Sequence, residues 1–349
     1  MANFAMEPLV RNAWYIAGWS NELSDGPIAR RLLGDNVVLF RTADGEAGAL
    51  EDRCCHRGVR LSLGSCVSNG IQCGYHGMAF GPDGECVDNP GEKLNPSFKV
   101  KSYPLVERQQ FLWIWMGDPA QADESLIIDY PYHDDWDFQF GHYAIDANYM
   151  FMMDNLMDLT HLGYVHGGTI GGDVANHNVA EVEEWRTENG AKFVRWMADV
   201  PPPPTFVASG GFKGNIDRRA EFEYVAPASV MQSTGVFDAG KGKKETIDVE
   251  GGLKFRLFHH ATPASDGEFH YFFSAGIENT PLEAPESQKF FEDVLEAFLE
   301  DKLFIEAQQE AVTSKPDEQL LLREHDKAVA YARQAIKALQ RQDVALAAE

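Results

Sequence analysis

The sequence predicts an α+β protein with two domains. An N-terminal antiparallel β domain is expected over residues 1–130, and a C-terminal domain with an antiparallel sheet flanked by helices is expected over residues 131–349. The chain of 349 residues exceeds the size of about 250–300 residues at which single cores stop growing. Short strand-like runs recur along most of the chain, and the two longest helical patterns come near its end.

The overall charge limits the classes of partner. The chain has 54 acidic and 30 basic residues, a net charge of −24, which argues against binding to nucleic acid or to an anionic membrane. There is no signal peptide pattern and no run of about 18 apolar residues, so a cytoplasmic protein is expected. Four of the five cysteines cluster with histidines, which is typical of metal ligands rather than disulfides in a reducing compartment.

Strands are expected from the start of the first domain. WYIAGW and NVVLF are apolar and rich in β-branched or aromatic residues, and FLWIWMG at 111–117 has the pattern of a buried strand. The dipeptide Asp44-Gly45 and the tripeptide at 82–84 predict hairpin turns. The polar, acidic stretch at 117–130 is expected to connect the two domains.

The stretch at 53–77 carries the most direct chemical signal. Cys54 and His56 form one couplet, and Cys73 and His76 form another after sixteen intervening residues. One thiolate and one imidazole from each of two facing loops suit a two-iron cluster, in which the two sulfur ligands hold one iron and the two nitrogen ligands hold the other. A mononuclear zinc site could use the same atoms, and unligated buried side chains are a further alternative.

The second domain combines strands with helices. Strand-like segments include AKFVRWM, AEFEYVA, KFRLFHHAT and FHYFFSAGI. Apolar residues at helical spacing predict one helix over 286–311 and another over 318–341. The proline run at 201–204 is expected to form an extended loop. The tract at 240–252 is expected to be mobile, either closing over a ligand or simply disordered.

A second group of polar residues lies in YMFMMDNLMDLTHLGYVH at 149–166. Steps of three residues place Asn155, Asp158 and His161 on one side of a predicted helix, and His166 can bend back across the helix end. With a carboxylate from elsewhere, the two imidazoles would complete the facial triad that holds ferrous iron in oxygenases. The alternative is a buried helix whose histidines bond to the backbone.

The carboxylate is expected from the first C-terminal helix. Asp301 lies in the apolar stripe formed by Val294, Phe298 and Ile305. An ionised side chain in such a stripe costs several kcal/mol unless it is paired or bound to a cation. If Asp301 lay at the edge of the stripe and reached water, this argument would fail. The competing carboxylates on the same helix are Asp293, Glu296 and Glu300.

Together the two groups of residues resemble the Rieske non-haem iron oxygenases, most closely the branch of vanillate and dicamba O-demethylase oxygenase components. RNAWYIAGW, CGYHGMAF, GECVDNPG, LWIWMGDPA and EDKLFIEAQQ extend the resemblance over nearly the whole chain. It implies a Rieske domain followed by a catalytic domain of the helix-grip type. The implied ligands are Cys54, His56, Cys73 and His76 for a [2Fe-2S] cluster, and His161, His166 and Asp301 for a mononuclear Fe(II).

The resemblance also implies an assembly. Members of this branch are homotrimers in which the cluster of one subunit serves the iron of its neighbour. Asp158 is similar to the carboxylate that bridges a cluster histidine and an iron histidine across that interface, and Asn155 is similar to a residue near the iron. Electrons from NAD(P)H, delivered by a separate reductase or ferredoxin, would pass from the cluster through His76, Asp158 and His161. Cys55 departs from the family pattern, which commonly has proline there.

The implied activity is that of a monooxygenase that removes a methyl group from oxygen or nitrogen of an aromatic substrate and releases formaldehyde. The substrate is expected to be an aromatic acid. Trp113, Gln232 and His259 fall where this branch contacts its substrate, although core packing or sheet hydrogen bonds explain them equally well. Two alternatives stay open: a ring or methyl hydroxylase or cis-dihydroxylase of the same fold, and a Rieske electron carrier with an inactive second domain.

Overall fold

The computed structural model describes residues 9–346, which fall into two compact units. One unit comprises Leu9–Pro131 together with Thr262–Ser265, and the other comprises the described residues 132–261 and 266–346. The first unit is built from small antiparallel sheets, and the second from a large antiparallel sheet with helices, so the predicted α+β class is confirmed. None of the helices within residues 9–346 combines the length and the apolar character that crossing a membrane requires.

Ten strands form the described part of the first unit. They are β1 Trp14–Trp19, β2 Ile28–Leu32, β3 Asp35–Arg41, β4 Ala47–Glu51, β5 Ser65–Val67, β6 Gly70–Gln72, β7 Ala79–Phe80, β8 Cys86–Asp88, β9 Leu105–Arg108 and β10 Phe111–Trp115. Their orders in three sheets are β1-β10-β9, β2-β3-β4 and β5-β6-β7-β8. Neighbouring strands are antiparallel in all three sheets.

The hairpins of the first unit form where the sequence predicts them. Asp44-Gly45 turns the chain between β3 and β4, and Gly45 has φ = 97°, which glycine adopts without a steric penalty. The turn at 82–84 joins β7 and β8. Every residue of β1 and β10 is buried, because these paired strands are covered on both faces. The polar stretch at 117–130 contains no strand, only two short 3-10 helices that begin after Asp118 and Asp123.

A seven-stranded sheet dominates the described part of the second unit, although the last residues of one of its strands, Thr262–Ser265, belong to the first unit. Its strands are β11 Gln139–Ile145, β12 Glu181–Arg186, β13 Gly190–Val200, β14 Ile216–Val225, β15 Ser229–Asp238, β16 Leu253–Ser265 and β17 Glu268–Ile277, in the order β11-β17-β16-β15-β14-β13-β12. The helices are α1 Tyr132–Asp135, α2 Tyr149–Met157, α3 Leu162–Val165, α4 Val174–Asn178, α5 Pro204–Gly210, α6 Pro285–Ser314 and α7 Lys327–Leu346. The apolar stripe of α6 is buried as predicted, including Val294, Phe298 and Ile305.

The prediction that Asn155, Asp158 and His161 share one helix is wrong, because the helix ends before Asp158. The helix α2 ends at Met157, a 3-10 turn follows over Leu159–His161, and α3 begins at Leu162. Asp158 has an extended backbone (φ = −131°, ψ = 102°), and its side chain accepts a hydrogen bond from the N–H of Thr160. An aspartate that caps the next turn ends the preceding helix, which apolar periodicity alone does not reveal.

The last helix begins later than predicted, at Lys327 instead of residue 318. The carbonyl of Asp326 accepts the first helical hydrogen bond, from Ala330. In the preceding residues 316–325 no side chain is buried, and Leu321 is 89% exposed. Helical turns that bury no apolar face receive no support from packing, so intrinsic propensity there does not suffice.

Two loop predictions also differ in detail. Pro204 lies in the first turn of α5, where its missing N–H is no loss, so the extended loop ends at Pro203. The tract at 240–252 has no regular secondary structure, but the Asp217 carboxylate accepts hydrogen bonds from Gly240 N and Gly242 N. The beginning of that tract is thus fastened to β14.

Candidate metal centres

Two loops of the first unit present the cysteine and histidine couplets in the same backbone conformation. In one loop, Cys54 N donates to Val59 O and Gly58 N donates to Cys54 O. In the other loop, Cys73 N donates to Met78 O and Gly77 N donates to Cys73 O. Gly58 and Gly77 both have positive φ, 70° and 79°, which allows each loop to turn back sharply on its cysteine.

The four side chains divide into a buried and an exposed pair. Cys54 and Cys73 are each only 3% exposed and belong to a hydrophobic core, whereas His56 and His76 are exposed at the loop tips with their ring centroids 4.6 Å apart. Burial, together with a hydrogen bond and the charge of Cys73, raises the pKa of Cys54 to about 11. Without a metal ion this thiol stays protonated, and binding of a cation would release its proton.

The donor set of the two loops fits a Rieske cluster. Two sulfur ligands on the inside and two imidazoles on the outside match the split between the two irons of such a cluster. All five cysteines are free thiols, so no disulfide competes for the two sulfurs. Cys55 is exposed, and burial of its neighbourhood still raises the pKa of its thiol.

The second unit brings His161, His166 and Asp301 together. His161 ends the 3-10 turn, His166 follows α3, and Asp301 lies in the middle of α6. Asp301 Oδ1 is 3.1 Å from His166 Nε2 and 3.5 Å from His161 Nε2. The three ligand atoms all lie within 4.8 Å of one another, which makes this set suitable for one metal ion.

The remaining polar atoms of this group have partners. His161 Nδ1 donates to the carbonyl of Asp158 at 2.7 Å, and His166 Nδ1 is 2.7 Å from Glu300 Oε2. Asn155 Nδ2 donates to Asp301 Oδ1 at 2.9 Å. Both imidazoles therefore turn their Nε2 atoms towards Asp301, as histidines do when the other ring nitrogen is fixed by an acceptor.

The two histidines respond differently to their surroundings. Burial lowers the pKa of His161, and the negative charge of Asp301 only partly compensates. Burial also opposes the charged form of His166, but its hydrogen bonds to Asp301 and Glu300 outweigh burial and raise its pKa. A neutral imidazole beside a buried carboxylate is the state that binds a divalent cation.

The competing carboxylates of α6 do not lie between the two Nε2 atoms. Asp293 is buried, but it accepts a hydrogen bond from Thr205 Oγ1 and pairs with Lys289. Glu296 is exposed. Glu300 lies on the Nδ1 side of His166, away from Asp301. Among the residues that the structure describes, two imidazoles and one carboxylate thus form a set that fits a facial iron triad.

Asp158 is half-buried beside this group. Its carboxylate accepts hydrogen bonds from the N–H and the hydroxyl of Thr160, at 2.9 and 3.0 Å. Asp158, Thr160 and Arg195 line a surface cavity of about 620 Å³. Asp158 is therefore joined to His161 through its own backbone carbonyl, while its half-buried side chain lines the cavity.

The three predicted substrate residues do not lie in one unit. Gln232 and His259 are buried neighbours on β15 and β16, and Trp113 is buried in β10 of the first unit. His259 Nδ1 contacts the hydroxyl of Tyr271 at 2.7 Å, and His259 Nε2 contacts Gln232 Oε1 at 3.3 Å. Burial lowers the pKa of His259 to about 3, so this imidazole is neutral near pH 7.

Sequence reasoning missed three residues that support the site and gave a fourth, Glu300, only the role of a competing ligand. The sequence gave no sign that Glu300 would bond the imidazole of His166. The spacing of three residues between Asp158 and His161 likewise did not show that the backbone carbonyl of Asp158 would bond the imidazole of His161. Arg195 bonds Leu159 O and His177 O, at 3.0 and 3.1 Å, and so fastens the segment that carries both histidines. The only local signal was the Asp-x-Thr pattern at 158–160, a common helix cap. The residues missed were Thr160, Arg195 and Tyr271.

The chain matches two known domain families. Residues 13–104 match the Rieske [2Fe-2S] domain, and residues 145–342 match the vanillate O-demethylase oxygenase C-terminal domain. Both matches agree with the positions of the two groups of ligands, since the couplets fall in the former range and the histidines and Asp301 fall in the latter.

Whole-chain comparisons point the same way. The chain is 36% identical to the toluene-4-sulfonate monooxygenase system iron-sulfur subunit of Comamonas testosteroni, over 88% of this chain and 90% of that protein. It is 34% identical to the dicamba O-demethylase oxygenase component of Stenotrophomonas maltophilia, over 85% and 87%. A crystal structure of dicamba monooxygenase bound to 3,6-dichlorosalicylic acid superposes with a TM-score of 0.88 at 30% identity, covering 97% of this chain and 99% of that one.

Proposed function

Since the chain belongs to the Rieske non-haem iron oxygenases of the vanillate O-demethylase family, we propose that it is the oxygenase component of a monooxygenase system. Its reaction removes a methyl group from oxygen or nitrogen of an aromatic acid. The observation that carries this proposal is the convergence of two imidazoles and one carboxylate within 4.8 Å in the unit that matches the oxygenase family. That set suits a ferrous ion whose other positions serve dioxygen and substrate.

The cofactors follow from the same residues. We assign the [2Fe-2S] cluster to Cys54, His56, Cys73 and His76, and the mononuclear Fe(II) to His161, His166 and Asp301. When bound, the cluster supplies single electrons and the ferrous iron supplies reductive activation of dioxygen. For a methoxy substrate, the overall reaction converts substrate, dioxygen, two electrons and two protons into the phenol, formaldehyde and water.

The protein's own residues hold and orient the reacting centre. The carbonyl of Asp158 fixes His161 through Nδ1, and the amide of Asn155 holds Asp301 Oδ1 between the two imidazoles. His166 and Asp301 are 1% and 3% exposed, so bulk water has little access to these ligands. Limited access of water favours charge stabilisation at the centre and suppresses side reactions.

Electrons reach this oxygenase from a separate reductase or ferredoxin, and we infer that NAD(P)H is their source. We also infer a homotrimer in which the cluster of one copy serves the iron of the next, with Asp158 as the bridging carboxylate. The backbone bond of Asp158 to His161 and the position of its side chain in the wall of the cavity of about 620 Å³ support this role. The exposure of His56 and His76 leaves the nitrogen edge of the cluster available to a partner.

Recognition of an aromatic acid is assigned to Gln232 and His259. The hydrogen bond of His259 to Tyr271 is the shorter of its two, so a ligand would exchange with the longer contact to Gln232. A neutral imidazole and a primary amide are both able to donate to a carboxylate oxygen. A cytoplasmic location is proposed because the ligand cysteines need a reducing compartment.

A substrate screen tests the proposal. The purified protein, loaded with both metals and supplied with a compatible reductase and NAD(P)H, is incubated with methoxybenzoates and N-methyl aromatic acids, and formaldehyde is measured. Formaldehyde release that depends on dioxygen, and that is lost in His161→Ala with its cluster absorption intact, supports demethylation. Hydroxylated or diol products without formaldehyde would support a hydroxylase or cis-dihydroxylase instead.

The iron content separates the oxygenase from an electron carrier. An oxygenase binds about three irons per chain, two in the cluster and one at the mononuclear site, whereas a carrier with an inactive second unit binds about two. A protein with two irons, no uptake of added Fe(II) and no dioxygen consumption with any substrate would contradict the proposed activity.

A further inference from the structure

The hydrogen bond between Glu300 and His166 is the strongest interaction of the iron site that the proposed function leaves unused. Glu300 Oε2 is 2.7 Å from His166 Nδ1, and the other ring nitrogen, Nε2, is 3.1 Å from Asp301 Oδ1. The imidazole of His166 is 1% exposed. Glu300 is thus attached to the ring edge opposite to the edge that faces the metal position.

We propose that Glu300 is a positioning residue that fixes the tautomer and the orientation of His166 and strengthens this imidazole as a metal ligand. This inference rests on the proposed iron site. When Glu300 accepts the Nδ1–H of His166, the lone pair of Nε2 points to the metal position. A charge-assisted hydrogen bond of this kind is about twice as strong as a neutral one.

The two histidine ligands are held unequally. His161 Nδ1 has a neutral acceptor, the carbonyl of Asp158, whereas His166 Nδ1 has a carboxylate. Within residues 9–346, no lysine or arginine forms an ion pair with Glu300. Lys302, two residues further along the chain, pairs with Glu306 instead. The negative charge of Glu300 is therefore available to His166, which becomes the more electron-rich of the two imidazoles.

The helix α6 supplies both the proposed metal ligand Asp301 and the proposed positioning residue Glu300. Glu300 and Asp301 are consecutive, so their side chains diverge by about 100° around the helix axis. Asp301 faces the buried interior between the two Nε2 atoms, and Glu300, 35% exposed, approaches His166 from the edge of the site. Glu300 does not belong to the set of three residues whose ligand atoms lie within 4.8 Å of one another.

Metal titration tests this role without relying on turnover. The full chain with its cluster intact and its mononuclear site depleted is titrated with Fe(II) and with Co(II), whose visible spectrum reports the ligand geometry. Glu300→Ala is expected to weaken binding about 10–100-fold, as is typical for loss of an outer partner of a histidine ligand. Glu300→Gln keeps an acceptor but loses the charge, so a smaller loss and a shifted Co(II) spectrum are expected.

The controls separate this inference from the proposed site. Glu296→Gln, one turn earlier and exposed, is expected to bind both metals like the wild type, and the cluster absorption should be unchanged in every variant. Wild-type affinity and an unchanged Co(II) spectrum in both Glu300 variants would overturn the positioning role. If instead His161→Ala and Asp301→Ala bind metal as tightly as the wild type, the proposed iron site itself is wrong. Should Glu300→Ala fail to fold, the isosteric Glu300→Gln decides.

Discussion

At the scale of single residues, the proposed iron site is determined by the hydrogen-bond partner of each polar side-chain atom. Asp301 Oδ1 accepts a hydrogen bond from the amide of Asn155 and faces the Nε2 atoms of His161 and His166. The Nδ1 atom of each histidine has its own acceptor. The spacing of the histidines and the family motifs predicted from the sequence which three residues would come together, and these residues do converge. The acceptors could not be predicted, because the partner of His166 lies 134 positions away and the partner of His161 is a backbone carbonyl.

Replacing Asp158 by Asn tests the bridging role at the level of one charge. Asn can still accept the N–H of Thr160, and the carbonyl that bonds His161 is unchanged, so both metals are expected to stay bound. Formaldehyde release is expected to fall about 100-fold, because the neutral amide replaces the charged carboxylate of the proposed bridge between a cluster histidine and an iron histidine. Asp146→Asn, an exposed carboxylate elsewhere in the unit, serves as the control. Near-normal turnover of Asp158→Asn would exclude the bridge.

The buried histidines of the second unit predict acid sensitivity. Burial lowers the pKa of His260 to about 3, whereas the unfolded chain protonates this group near its ordinary value of about 6.5. Below about pH 6.5 the unfolded state therefore binds more protons, and stability falls with pH down to the folded pKa. The thermal midpoint should decline between pH 6.5 and 4.5, with a shallower slope in His260→Asn. An unchanged slope in that variant would contradict this account.

At the scale of elements, the sequence predicted the strands better than the helix ends. Alternating apolar patterns with clear turns, such as Asp44-Gly45, define a strand locally, so pattern and structure agree. The break at Asp158 and the late start of α7 at Lys327 depend on a capping side chain and on missing burial. The spacing of apolar residues predicts neither helix boundary, because capping and burial both depend on the tertiary structure.

Arg195 links the sheet to the segment that carries His161 and His166. Replacing Arg195 tests how much this packing of elements contributes to stability. Its guanidinium, buried on β13, donates to Leu159 O and His177 O on either side of the two histidines. Arg195→Met leaves both carbonyls without this donor and is expected to cost about 2–3 kcal/mol of unfolding free energy. Arg195→Lys should recover part of the loss. Denaturant unfolding measures both, with exposed Arg341→Met as the control; equal stability of all three variants would refute the anchoring role.

At the scale of the whole molecule, the second unit couples metal binding to folding. Because His161, His166 and Asp301 come from three separate elements, they converge only when the unit is folded. A metal that binds only the folded state stabilises it by about 2.7 kcal/mol at a hundredfold excess over its dissociation constant. Depleting the mononuclear iron should lower the thermal midpoint, and Co(II) should restore it in the wild type but not in Asp301→Ala. Equal midpoints with and without metal would contradict this coupling.

The interrupted helix at Asp158 has a consequence for which changes of chain length the protein tolerates. Five steps separate His161 from His166, across the end of a 3-10 turn and all of α3. Deleting or inserting one residue there would rotate one imidazole by about 100° and shift it by about 1.5 Å relative to the other. An insertion at the exposed tip of the Asp44-Gly45 hairpin adds only a small loop entropy. Natural length variation is therefore expected in that hairpin and absent between the two histidines.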